Sequence, residues 1–189
     1  MTVTQIAQQL QTELSGFRRE VNLVYENIVL PGWGGDLHGM PRTLYGYMMA
    51  TFSYVDLVSL YRYGAREGQT KRMRQLVVDY MNATTDAAAV CVQMWRHTLM
   101  HTANPRVLTE ARSGKAYRWL LHWGPDHLPK DQHLHLQPDG RVLNVGLIYL
   151  LEDVTTTGNK VFAEAIGHTK RESIVLNAQR DLDNKRFTL

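Results

Sequence analysis

The run Q-M-W-R-H-T-L-M-H-T-A-N-P, residues 93–105, places Arg96, His97 and His101 at the end of an apolar segment, just before a proline that stops a helix. Histidine titrates near neutrality and can take or release a proton, while arginine is a permanent cation whose donors sit in a fixed fork. Together they suit proton transfer beside a fixed positive charge. On a wheel of 100° per residue the apolar stripe is Ala87, Cys91, Met94, Trp95 and Thr98, with His101 at its edge and Arg96 opposite. Five positions turn a regular helix by about 140°, so Arg96 and His101 share no single narrow face. A cleft closed by a facing helix, from the same bundle or another subunit, can bring them together.

The elements that would hold these residues are mostly helical. Ile6, Leu10, Leu14, Phe17, Val21, Val24 and Ile28 recur at spacings of three and four, which predicts one long amphipathic helix from Val3. Residues 31–46, PGWGGDLHGMPRTLYG, carry too much glycine and proline to continue it and read as a long loop. The following YGYMMATFSYVDLVSLYRYG is apolar around most of its circumference, so it predicts a central helix ending at Gly64. A third helix is expected over roughly Gln69 to Asn82, and a fourth from an aspartate cap in T-T-D through the motif.

Beyond Pro105 the pattern changes. AYRWLLHW alternates as a strand, QHLHL looks like its partner, and the P-D-G turn leads into RVLNVGLIYLLEDV, where Leu143, Leu147, Leu150 and Val154 favour a helix over the end of a hairpin. A last, more polar helix is expected from Thr169 to Asn184. The sum is a mainly α fold, a helical bundle with a small β-hairpin insertion at 116–137, within a single domain spanning 1–189.

Composition narrows the setting. Hydrophobic residues at 44% and charged ones at 21% make an ordinary globular balance. A lone cysteine, Cys91, permits no disulfide within the chain, and neither a secretory leader nor a membrane span is expected, so the expected location is cytoplasmic. A net charge of +3 permits a polyanionic partner without requiring one. Arg62, Arg66, Lys71, Arg72 and Arg74 cluster around one helix junction and suit a phosphate backbone, although a solvated face explains them as well. Tyr117, Trp119 and Trp123 offer rings for stacking bases, but a strand packed on a bundle more often spends such a row on its core. His97 and His101 stand one helical turn apart and His122, His127, His133 and His135 follow, which raises a metal site; no His-Glu-x-x-His pattern or cysteine pair accompanies them. The PGWGGDLHG stretch lacks the lysine and hydroxyl of a nucleotide P-loop and reads as a cover.

R-H-T-L-M-H resembles the signature of the HEPN superfamily, in which an arginine, a polar residue and a later histidine close a bundle helix. The resemblance runs over roughly Tyr45 to Pro105, with His97 in the polar slot. It implies a metal-independent endoribonuclease without cofactors, acting as a homodimer on RNA, in defence, stress response or a toxin pair with a neutralising partner protein. The substrate's 2′-hydroxyl would attack its own phosphate and leave a 2′,3′-cyclic phosphate. His101 would then be general acid or base, Arg96 the counter-charge to the phosphorane, His97 a positioning group, and Asp56 a half-buried carboxylate paired with Arg96. Silent members of the family imply the alternative of an RNA- or protein-binding domain. A metal-dependent hydrolase built on the histidines is the third reading.

Overall fold

The computed structural model of the protein describes residues 1–31, 42–99 and 107–184. Helix α1 covers Val3–Val24 and runs on as a π-helical turn, Tyr25–Val29. It opens with a reciprocal cap: Thr2 Oγ1 accepts from the Gln5 amide at 3.2 Å, and Gln5 Oε1 accepts from the Thr2 amide at 2.8 Å. Of the expected stripe, Ile6, Leu10, Leu14 and Val21 are buried and Phe17 and Val24 half-buried, but on the π-helical turn Ile28 is exposed and Tyr25 is buried instead.

Helix α2, Arg42–Tyr63, starts earlier than the glycine-rich loop predicts and ends where expected, at Gly64, whose φ of +78° lies in the left-handed region that favours glycine. Its all-round apolar character places it centrally, against α3 (Gln69–Tyr80) and the last two helices, α5 (Leu147–Ala165) and α6 (Thr169–Asp183). Leu44, Met48, Phe52, Val55 and Val58 of α2 are wholly buried. Between them Thr51 and Ser59, also buried, return their hydroxyls to the helix's own carbonyls at Tyr47 and Asp56. Helix α4, Thr85–Met94, is capped by Thr84, whose side chain accepts from the Ala87 amide; Asp86, expected as the cap, sits in the first turn instead.

The mainly α expectation holds, and the β portion is a three-stranded sheet in the order β1-β2-β3, formed by Leu108–Thr109, Ala116–His122 and Val142–Gly146. β1 and β2 form an antiparallel hairpin in which Leu108 faces Tyr117. β3 pairs with β2 in parallel, Arg118 opposite Val142 and His122 opposite Gly146.

Two expectations change here. AYRWLLHW is flanked by β1 and by VLNVG, not by QHLHL, which lies along the other edge of β3 through the Leu136–Leu143 bridge. The helix expected from Arg141 begins only at Leu147. Leu147, Leu150 and Val154 form its buried face, but Leu143 belongs to the strand, and Gly146, with extended backbone, marks the change. Parallel pairing requires a crossover, so residues 123–141 return the chain to the start of the sheet, and Leu134 to Gln137 of that segment run beside β3.

One hydrophobic cluster joins the helices to the sheet. Phe52 of α2 lies between Trp95 at 5.9 Å and Trp119 at 6.0 Å, both stacked, so the end of α4 and the middle of β2 meet on one ring. Among the described residues no helix is long and apolar enough to cross a membrane.

Candidate functional site

After Met94 the α4 backbone widens into a π-helical turn, Trp95–Leu99, so Arg96 and His97 lie on irregular helix. Such turns bond residue i to i+5 and break the 100° count, so the wheel that separates Arg96 from His101 stops applying at Trp95. Trp95 turns into the core, and Arg96 and His97 are exposed beside it. His101 lies outside the described residues.

Arg96 reaches α3, where its Nη1 donates to Thr70 Oγ1 at 2.7 Å. The expected pairing with Asp56 does not form. Asp56 Oδ1 instead accepts from Arg72 Nη2 at 2.5 Å and Oδ2 from Gln69 Nε2 at 2.7 Å, while Arg72 Nε donates to Ser59 Oγ at 3.1 Å. Arg72 sits nearer to Asp56 because it projects from the α3 face that packs on α2. A carboxylate held by two donors inside a helix–helix contact serves the packing.

The five basic residues separate. Arg72 is buried on Asp56 and is unavailable to a phosphate backbone, which corrects its place in that group. Arg62 faces Glu164 at 3.7 Å and lies over the rings of Tyr63 and Tyr80. Lys71 pairs with Glu67, and Arg66 is exposed on the short turn Ala65–Glu67. Of the five, only Arg74 lines the same space as His97.

That space is a cleft of about 810 Å³ between α3 and α4 on one side and the β1–β2 hairpin on the other. Arg74, Gln93 and His97 line the helical wall, and Lys115 and Tyr117 the hairpin wall, with Leu108 and Leu136 supplying apolar surface. Arg74 is half-buried, its Nε is enclosed without a hydrogen-bond partner, and among the described residues no carboxylate pairs with it. Two acids also line the cleft: Asp86, at the start of α4, and Glu110, whose Oε2 accepts from Ser113.

The histidines of 122–135 do not converge. Among the described residues no three His, Cys, Asp or Glu side chains stand where they would hold a metal ion. His133 is buried and built into the frame: Nδ1 accepts from the Gly146 amide at 3.0 Å, which puts the proton on Nε2, 3.3 Å from Asp153 Oδ2. Burial lowers the His122 pKa from the ordinary 6.5, partly offset by the Asn144 side chain. Burial also pushes the Cys91 thiol up to about 12, so it is no nucleophile at neutral pH.

The aromatic row divides as well. Trp119 and Trp123 are in the core, as a packed strand requires, but Tyr117, on the same face, is only half-buried and reaches the cleft. The sequence sets Arg74 among four other basic residues with no signal that singles it out; in the structure it stands at i+4 from Thr70, the residue Arg96 contacts. No protein-family model matches the chain, and neither a curated protein nor a solved structure matches it.

Proposed function

We propose that the protein is a metal-independent endoribonuclease of HEPN type, working in the cytoplasm in defence, stress response or a toxin pair, and that its RNA lies in the cleft beside the motif turn. The observation that carries this reading is Arg74. A half-buried guanidinium that forms no ion pair among the described residues, in one cleft with His97 and Lys115, is suited to an anionic ligand such as a phosphodiester. The exposed turn holding Arg96 and His97 stands at the edge of that space. RNA brings its own nucleophile, the 2′-hydroxyl. The protein then needs only a proton carrier, the role given to His101, and a counter-charge for the phosphorane, the role given to Arg96, with His97 positioning the phosphate.

Purified protein should cut single-stranded or loop RNA in EDTA, leave a 2′,3′-cyclic phosphate, and spare DNA. His101→Ala and Arg96→Ala should each reduce cleavage about 10²–10⁴-fold without adding in the double variant, because both serve one transition state. If wild-type protein binds RNA and cuts none across a broad panel of substrates, the catalytic assignment fails. The same cleft then belongs to a silent RNA-binding domain.

A further inference from the structure

We infer that Tyr117 is the stacking platform of a nucleobase subsite in the cleft, with Arg74 holding the adjoining phosphate, so that the β1–β2 hairpin supplies a substrate-contacting wall. The inference rests on the reading of the cleft as an RNA site and adds what the hairpin recognises. β2 points Tyr117, Trp119, Leu121 and Trp123 to one face of the sheet by the two-residue period of a strand. Trp119, Leu121 and Trp123 are 4–5% exposed and complete the core. Tyr117 ends the row half-buried, packed against the margin of that core. Its ring lines the cleft, and its hydroxyl makes no hydrogen bond among the described residues. Leu108, its cross-strand neighbour, and Leu136 line the same space, so a base placed on the ring also covers apolar surface.

The charges favour a nucleotide over a plain apolar ligand. Lys115 Nζ lies over the Tyr117 ring, 5.1 Å from its centre, a cation–π contact that a base must displace or stack opposite. Arg74 stands on the opposite wall, its Nε enclosed and its guanidinium without an ion pair among the described residues. A π-ring with one cation over it and another on the facing wall suits a base joined to phosphates, and single strands expose bases that a duplex hides. Stacking accepts every base, so the subsite favours unpaired strands without fixing a sequence.

The test is calorimetric binding of a short 2′-O-methyl RNA, which cannot be cleaved by 2′-hydroxyl attack, so binding is read apart from catalysis. Tyr117→Phe should bind within about twofold of wild type, and Tyr117→Ala should weaken binding about 5- to 150-fold, the range of one lost base stack. Arg74→Gln should also weaken it and should reduce the slope of log K against log salt by about one phosphate contact. An abasic oligomer should bind wild type and Tyr117→Ala alike. Mononucleotides separate a free nucleotide from a strand: the inference expects UMP and AMP to bind far more weakly than the oligomer, and equal affinity would overturn the assignment to RNA. Tyr117→Leu, which keeps apolar volume, replaces the alanine variant if circular dichroism shows that one misfolded. Unchanged affinity in either folded variant would sink the platform. Tyr117-dependent binding with no RNA cleavage would instead leave the subsite standing and remove the ribonuclease reading.

Discussion

Arg72 and Arg74, two residues apart on α3, have opposite fates. Arg72 meets Asp56 and Ser59 within the α2–α3 contact, and Arg74 faces open cleft without a partner among the described residues. Both read alike in the sequence, because a pattern of basic residues does not reveal which carboxylate lies across a helix interface. Arg72→Ala should therefore cost stability, on the order of 3 kcal/mol in urea unfolding, because it strands a partly buried carboxylate. Asp56→Asn should lower stability while leaving cleavage per folded molecule unchanged; a selective loss of cleavage would return Asp56 to the catalytic group. His122 gives a dependence on pH. Its folded pKa is lowered, so its contribution is fully present above the ordinary 6.5 and is lost as pH falls through the folded value. His122→Gln should accordingly show a smaller loss of urea midpoint than wild type between pH 7.5 and pH 5.5.

The helices were legible at the scale of elements because each buries a stripe or a whole circumference: α1, α2, α3 and α6 fall close to where periodicity places them. The β3–α5 junction was not. Its leucines keep helical spacing across a strand–helix boundary, and nothing local reveals that Val142–Gly146 lies alongside β2. Gly146 permits that junction. A Cβ there would come within 2.9 Å of the Tyr149 ring and 3.4 Å of Leu128, so Gly146→Ala should destabilise the fold by about 1–3 kcal/mol. Gly16, inside α1, has nothing within 4 Å of the same added atom. Gly16→Ala should raise stability by about 0.5–1 kcal/mol, and thermal unfolding of the two variants should move in opposite directions. The motif turn was missed for a related reason. A π-helical turn adds no distinctive residue, so a count at 100° per residue continues past Trp95 where the backbone does not.

For the whole molecule, the ribonuclease reading expects a homodimer that sets two Arg96 side chains on a common groove, and light scattering at tens of micromolar should give twice the chain mass of 21.7 kDa. A monomer at that concentration would count heavily against it. RNA affinity should fall steeply with salt, since cleft cations would release counterions from the strand. The mixed helix-and-sheet composition of the molecule was visible in the sequence, but the cleft was not, because its walls come from α3, α4 and a hairpin that starts only at Leu108. The Trp95–Phe52–Trp119 stack has a separate, optical consequence. Both indoles are enclosed in apolar surroundings, as is Trp123. Their emission should be blue-shifted in the native protein and move to the red when the end of α4 parts from β2, so the unlabelled chain reports for itself whether the motif turn is still docked.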